Sequence, residues 1–239
     1  MHPNLVIIPT YNEKENIEKI IRTVMAQPND FNVLIVDDNS NDGTAGIVKK
    51  MQIEIPNRIY LLERPGKMGL GTAYIAGFRY GLENNYQFIY EMDADFSHNP
   101  SDLNRMFEVL NSEEADVVVG SRYVKGGSVV NWPADRRFIS YGGSLYTRLI
   151  TWMPVKDPTA GFIGYSSKVL SAIDLSKIRF IGYAFQIQMK FEAWSLGFKI
   201  KEIPILFKDR EEGISKMSGN IVKEAAFGVL AMKIRKLFS

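Results

Sequence analysis

Gln87-Phe88-Ile89-Tyr90-Glu91-Met92-Asp93-Ala94-Asp95 is the stretch that decides the fold. Its first six residues form a short, mostly apolar run, and that run opens directly onto two carboxylates spaced i and i+2. A buried strand ending in acids is what an α/β sheet places at its ligand-binding edge. The same pattern recurs upstream. Leu5 to Ile8 is an apolar run closed by Pro9, and Asn32 to Val36 is a second that ends in Asp37-Asp38. Arg58 to Leu62 reads as a third strand and Ala115 to Gly120 as a fifth.

Helical spacing fills the gaps. Ile17, Ile20, Ile21 and Val24 share one helical face, with Asn12 read as an N-cap and Glu15 three residues on. Ile47 and Met51 mark a second helix, Thr72 to Leu82 a third and Ser101 to Leu110 a fourth. This alternation predicts an α/β fold with a mostly parallel central sheet covered by helices on both faces. Three polar clusters, Tyr11-Asn12-Glu13, Asp37-Asp38-Asn39 and Asp93-Ala94-Asp95, all fall at strand ends and are expected to converge on one edge. After Ser121 the alternation weakens. Tyr123 to Asp135 reads as a long loop, Arg137 to Trp152 and Gly182 to Ser195 as helices, Lys199 to Phe207 as one late strand, and Ile221 to Leu237 as an amphipathic helix.

Composition narrows the function classes. The chain has 239 residues, 46% of them apolar, and a net charge of +2, so neither disorder nor nucleic-acid binding is indicated. It has no cysteine, which removes disulfides and thiolate metal sites. No basic, long-apolar, small-residue leader opens it, so no signal peptide is expected, and no run reaches the length of a spanning helix. No repeat or low-complexity tract interrupts it.

The chemistry sits in the acidic clusters. In extended chain, Asp93 and Asp95 point the same way and repel unless a cation lies beside them. Hard oxygens suit Mg²⁺ or Mn²⁺, which bridge to diphosphates. The bland alternative is a solvated turn with two surface acids. Asp38, at another strand end, is placed to accept from a nucleobase or ribose, while Asn41 and Asp42 start the next helix. Gly69-Leu70-Gly71-Thr72-Ala73-Tyr74 lacks the third glycine of a dinucleotide fingerprint and reads as a structural loop. His98 reads as a packing or turn residue. Arg122, Arg136 and Arg137 flank the long loop, with Ser140 beyond, and Arg210 and Lys216 lie on a glycine-containing loop; both groups of basic residues suit phosphates.

Taken together, these segments resemble the inverting family 2 glycosyltransferases of the GT-A fold, and within them the dolichyl-phosphate (polyprenol-phosphate) mannose synthases. Pro9 to Glu13, Val36 to Thr44, Met92 to Pro100, Gly120 to Tyr123 and Asp157 to Phe162 carry the likeness over nearly the whole chain. Gly69 to Ala73, Trp132 to Ser140 and Arg210 to Lys216 favour the mannose-synthase branch. The resemblance implies one catalytic domain over 1–239: a nucleotide-sugar half at 1–120, an acceptor and closing-loop half at 121–220, and the amphipathic helix at 221–239. It implies that Pro9, Tyr11, Glu13, Val36 and Asp38 hold the nucleoside of GDP-mannose. Asp93, Ala94 and Asp95 would meet ribose, phosphates and metal, with Asp93 and Asp95 the metal carboxylates. Arg210 and Lys216 would clamp the diphosphate, with Arg122 beside them. Arg122, Arg136 and Ser140 would receive the phosphate of a polyprenyl or dolichyl monophosphate, and with Asp95 form the catalytic set. Ser97 stands where the family often has Gln.

A lipid acceptor implies a membrane surface, hence a peripheral protein at the cytoplasmic face, like the short members without spanning helices, with room for a small membrane subunit as partner. A phosphate monoester is already ionised near neutral pH, with a second pKa of about 6. It can therefore attack in line, with inversion and no dedicated base. The readings kept beside this one are UDP-glucose as donor, a saccharide hydroxyl acceptor with Asp135 or Asp157 as base, and a non-catalytic nucleotide-sugar binding module.

Overall fold

The computed structural model describes residues 4–208 and 228–234. Four strands arise where the apolar runs predict them: β1 (Asn4–Thr10), β2 (Phe31–Asp37), β3 (Ile59–Glu63) and β4 (Phe88–Glu91). They pair in parallel in the order β3-β2-β1-β4. Helices α1 (Ile17–Met25), α2 (Thr44–Glu54), α3 (Leu70–Glu83) and α4 (Asp102–Asn111) make the crossovers. Side chains alternate across the sheet as the two-residue period requires. Val6, Ile8, Val33 and Ile35 pack with Ile17, Val48 and Leu103 on one face. Leu5, Ile7, Leu34 and Val36 pack with Tyr74, Phe78 and Phe185 on the other.

The second half departs from simple alternation. β5 (Val117–Ser121) does not pair with β4. Between them lies β7 (Ile163–Ser166), antiparallel to both, a strand the sequence reading missed. The segment 121–162 leaves the sheet and returns beside its exit, with Gly120 N donating to Phe162 O at 2.8 Å. The expected long loop at 123–135 holds a short strand, β6 (Ser128–Val130), and the first residues of α5 (Ala134–Thr151). Pro133 stands at the N-cap, where a missing N–H is harmless, so the helix starts earlier than Arg137. α6 (Ser167–Ala172) and α7 (Tyr183–Ser195) follow β7.

The single strand expected at 199–207 is two. β8 (Ile200–Pro204) pairs in parallel with β5. At Ile205 the chain turns out, bonds Ser121 O at 3.1 Å, and continues as β9 (Leu206–Lys208), which pairs in parallel with β6. Asn12 is not a helix cap. It adopts φ 58°, and α1 begins after Asn16 with no side-chain cap bond.

Of the expected C-terminal helix, residues 228–234 are described and helical, with Val229 and Met232 packed against Met153, Val155, Ile187 and Phe191. The rest of 221–239, including Leu237, and the loop with Arg210 and Lys216 lie outside the described residues.

Candidate functional site

The sheet register brings the predicted clusters together. Thr10 stands opposite Asp37 on neighbouring strands, and Ile7 opposite Glu91. The chain leaving each strand therefore emerges on one edge, and side chains stitch the exits. Asn12 N donates to Ser40 Oγ at 2.9 Å, and Asn12 Oδ1 accepts from Asn41 N at 3.1 Å. Glu13 N donates to Thr44 Oγ1 at 3.0 Å. Lys14 N donates to Asp42 Oδ2 at 3.0 Å, while Asp42 Oδ1 accepts from Thr44 N at 3.0 Å at the start of α2. Asp42 thus supports the start of α2 from one residue before the cap; the N-cap itself is Gly43, at φ 97°, with no side-chain cap bond.

Asp37 and Asp38 divide the labour. Asp37 is buried and structural: it accepts from Thr10 Oγ1 at 2.7 Å and from Ser40 N at 2.9 Å. Asp38 is held by Arg64, whose Nε donates to its Oδ1 at 2.6 Å; both side chains are under 10% exposed. Arg64 was not read from the sequence. It also donates to Thr72 Oγ1 at 2.7 Å, and Thr72 in turn to Gly69 O at 2.8 Å, so the glycine segment supports the Asp38 carboxylate. Gly69 needs its freedom at φ 97°. A Cβ on Gly71 would lie 2.7 Å from Phe180 O, so this glycine serves close packing, although Leu70 to Tyr74 open α3 rather than form a loop. Lys67 Nζ sits 5.0 Å from the centre of the half-buried Tyr11 ring. Pro9 is half-buried at the end of β1, and the Val36 side chain is in the core, which leaves its main chain as the part a ligand can meet.

The acidic motif follows β4. Asp93 and Asp95 are part-exposed and Ala94 is buried. Asp95 Oδ1 accepts from Ser97 N at 3.0 Å. Ser97 itself is buried, and its carbonyl accepts from Lys208 N at 3.3 Å, which ties the motif to β9. His98 is indeed a packing residue. Its ring stacks on Phe162 at 4.8 Å, and its Nδ1 accepts from Asp93 N at 3.3 Å. Burial pushes its pKa down to about 4, so the ring is neutral and shapes the motif without adding charge. Among the described residues no three His, Cys, Asp or Glu side chains gather to hold a metal. Two carboxylates alone fit a hard cation that takes its remaining ligands from water and substrate phosphates, as Mg²⁺ does.

Across the edge, Arg122 follows β5. Its Nε and Nη2 bind the two Asp157 oxygens, each at 2.7 Å, and Nη2 also reaches Thr159 Oγ1 at 2.8 Å. Asp157 is fully buried. Burial alone would raise its pKa; the Arg122 charge and hydrogen bonds outweigh that and hold it below the ordinary carboxylate value. Arg122 lies over the Tyr123, Trp132 and Phe207 rings at 5.2, 5.3 and 5.6 Å, and Arg136 over Trp132 at 4.3 Å. Tyr123 OH donates to Ser140 Oγ at 2.7 Å. The structure thus gathers Arg122, Arg136 and Ser140 around one aromatic group. Tyr123, Trp132, Asp157 and Thr159 are the organising residues that sequence reasoning did not single out as such. Arg137 points elsewhere, donating to Val129 O at 3.3 Å.

Comparison with known proteins agrees with this geometry. Residues 5–174 match the glycosyl transferase family 2 model. The chain is 43% identical over 231 residues to the polyprenol monophosphomannose synthase of Mycolicibacterium smegmatis, covering 97% of this chain and 87% of that protein. It is 47% identical over 225 residues to the undecaprenyl-phosphate mannosyltransferase of Micrococcus luteus, covering 94% and 91%. In fold it resembles glucosyl-3-phosphoglycerate synthase of Mycobacterium tuberculosis, solved with Mn²⁺, UDP and phosphoglyceric acid (TM-score 0.73, 14% identity, 97% of this chain and 78% of that one). It also resembles a mannosyltransferase of Pyrobaculum calidifontis in complex with GDP-Man and Mn²⁺ (TM-score 0.58, 15% identity, 99% and 74%). The GT-A-like fold, the family match and the two relatives agree: this chain belongs to glycosyl transferase family 2 and is a glycosyltransferase.

Proposed function

We propose that the protein transfers mannose from GDP-mannose to a polyprenyl monophosphate, with inversion, giving a lipid phosphate β-mannose and GDP. One observation carries the acceptor side. The buried acid beside Arg122 is Asp157, and Arg122 engages both its oxygens. Asp157 is thus a poor general base, and Asp135 is exposed at the start of α5. An acceptor that arrives as an anion needs no base, and arginines offset its charge. The two relatives at 43% and 47% identity are named for polyprenol and undecaprenyl phosphate mannosylation, which supports the same reading.

On the donor side, Asp38, held by Arg64, would accept from the nucleobase, with Pro9, Tyr11 and Glu13 around the nucleoside. Asp93 and Asp95 would hold Mg²⁺ or Mn²⁺, and Arg210 and Lys216 would close on the diphosphate. The cation would neutralise charge on the departing diphosphate. The remaining work is positioning two anions for in-line attack.

The outer face of α5 suits a lipid acceptor. Its buried residues are small hydroxyls, Ser144, Thr147 and Thr151, while Phe138, Tyr141, Leu145, Leu149 and Trp152 are 43–81% exposed. At 100° per residue the four within α5 fall in an arc of about 80° over roughly 17 Å, and Trp152 follows at the C-cap. That inverted arrangement would place the protein peripherally in a headgroup layer. Among the described residues no helix is long and apolar enough to cross a membrane.

The test is to incubate the protein with Mg²⁺ or Mn²⁺, a short polyprenyl phosphate and either GDP-mannose or UDP-glucose. Lipid-linked mannose from GDP-mannose alone, β by NMR and lost in Asp95→Ala, is the expected result. Product from UDP-glucose alone would change the donor, and an α-linked product would refute the inversion.

A further inference from the structure

Lys190, on α7, is fully buried, and no step of the proposed transfer uses it. Its Nζ donates to three main-chain carbonyls: Ala160 O at 2.7 Å, Pro158 O at 3.0 Å and Gln186 O at 3.1 Å. Three acceptors match the three donors of an ammonium group, so the site is complete with the charged form and short of a donor without it. Two of those carbonyls belong to the turn that closes with Ala160 N on Asp157 O at 3.2 Å. The same turn supplies Asp157 and Thr159, the two residues that grip Arg122. The third carbonyl belongs to Gln186, whose side chain donates to the buried carboxyl of Glu91 at the end of β4.

A buried ammonium is costly to desolvate, and an apolar side chain could fill the same volume. Burial pushes the Lys190 pKa down to about 7, with the charges of Glu91 and Asp157 working against that fall. Packing alone therefore does not account for a lysine here; the geometry of the 157–160 turn does.

We propose that Lys190 is a positioning residue for the acceptor phosphate: by capping the Pro158 and Ala160 carbonyls it fixes the turn that aims Arg122. It rests on the reading of Arg122, Arg136 and Ser140 as the acceptor phosphate site. Lys190 acts on that half of the cleft and leaves the Asp38–Arg64 half alone.

Calorimetry on the full chain separates this from a general structural role. Dodecyl phosphate, below its micelle concentration, and GDP with Mn²⁺ are titrated into wild type, Lys190→Met and Thr159→Val. Lys190→Met is expected to weaken dodecyl phosphate about 10-fold or more while GDP affinity stays within about twofold. Thr159→Val, which removes one bond to Arg122 at nearly constant volume, is expected to shift the same ligand in the same direction by a smaller factor. It decides the question should Lys190→Met fail to fold. Equal losses for both ligands, unchanged dodecyl phosphate affinity in the variants, or no dodecyl phosphate binding by wild type would overturn the proposal. Turnover is assayed in parallel. A wild type that binds dodecyl phosphate yet mannosylates no lipid phosphate refutes the transfer reaction, while the affinity ratio still decides the role of Lys190.

Discussion

Replacing Asp157 by Asn keeps the volume of the side chain and removes its charge. The carboxylate receives four hydrogen bonds, from Arg122 N at 3.0 Å, Nε and Nη2 at 2.7 Å each, and Thr159 Oγ1 at 3.1 Å. Arg122 is only 9% exposed and would lose this buried counter-charge. Breaking such a pair from one side costs about 3–5 kcal/mol. Asn still offers one acceptor oxygen, which places the loss in the lower half of that range. A domain of this size loses about 2–4 °C of melting temperature per kcal/mol, so the midpoint should fall by roughly 6–16 °C. Thermal melts followed by far-ultraviolet circular dichroism at neutral pH measure it. Removing both charges in Asp157→Asn/Arg122→Met should recover part of the loss, because the double variant buries neither charge. The pH dependence has a fixed sign. The folded-state pKa of Asp157 is lowered, so its contribution is present above the unfolded carboxylate value and is lost as pH falls through the folded one. The gap between wild type and Asp157→Asn should therefore be widest above about pH 5 and close in acid. A single variant that melts within about 2 °C of wild type would refute the claim that this pair organises the turn.

Arg64→Met frees the Asp38 carboxylate from its partner and should weaken GDP binding about 10-fold with dodecyl phosphate affinity unchanged; a loss on the phosphate side instead would misplace the two halves of the cleft. Leu149→Glu combined with Trp152→Glu should cut sedimentation with anionic vesicles by about 10-fold or more and leave turnover of a short soluble acceptor intact; vesicle binding that survives would remove α5 as the membrane face. His98, with its pKa lowered to about 4, stays neutral when folded while the unfolded ring protonates, so its share of stability is present above about pH 6.5 and is lost as pH falls toward 4. Urea titrations of wild type and His98→Asn across that window should show a shallower pH slope in the variant, and parallel slopes would disprove the assignment.

The half proposed to hold the donor was legible because its signals are local. Each apolar run is one strand, each acid cluster lies at its end, and the parallel register does the rest. Asp38 could be named from its place after Val36, but Arg64 could not, since its pairing depends on β3 lying beside β2. The acceptor half was less legible. β7 is four residues with a glycine at its second position, too short for a two-residue period to stand out. β8 and β9 read as one strand because apolar residues continue through Ile205; Pro204, the last residue of β8, is the signal in the sequence that marks the change of sheet. α5 was read as a helix, but which face is buried was not: hydrophobic periodicity assigns the apolar side to the core, and here small hydroxyls take that place. Lys190 sits in an apolar helix, where its type alone gives no hint of three backbone partners.

The adjacent exit and return of residues 121–162 has a consequence for how this fold can diverge. A segment whose two ends are already hydrogen-bonded to each other can change length without disturbing the strands that anchor it. Each doubling of such a segment costs only about 0.6 kcal/mol of closure entropy. A lineage can therefore exchange the whole excursion, and with it the class of molecule that receives the sugar, while the nucleotide edge keeps its register. On the proposed reading, the fold is a fixed donor platform carrying a replaceable acceptor cassette.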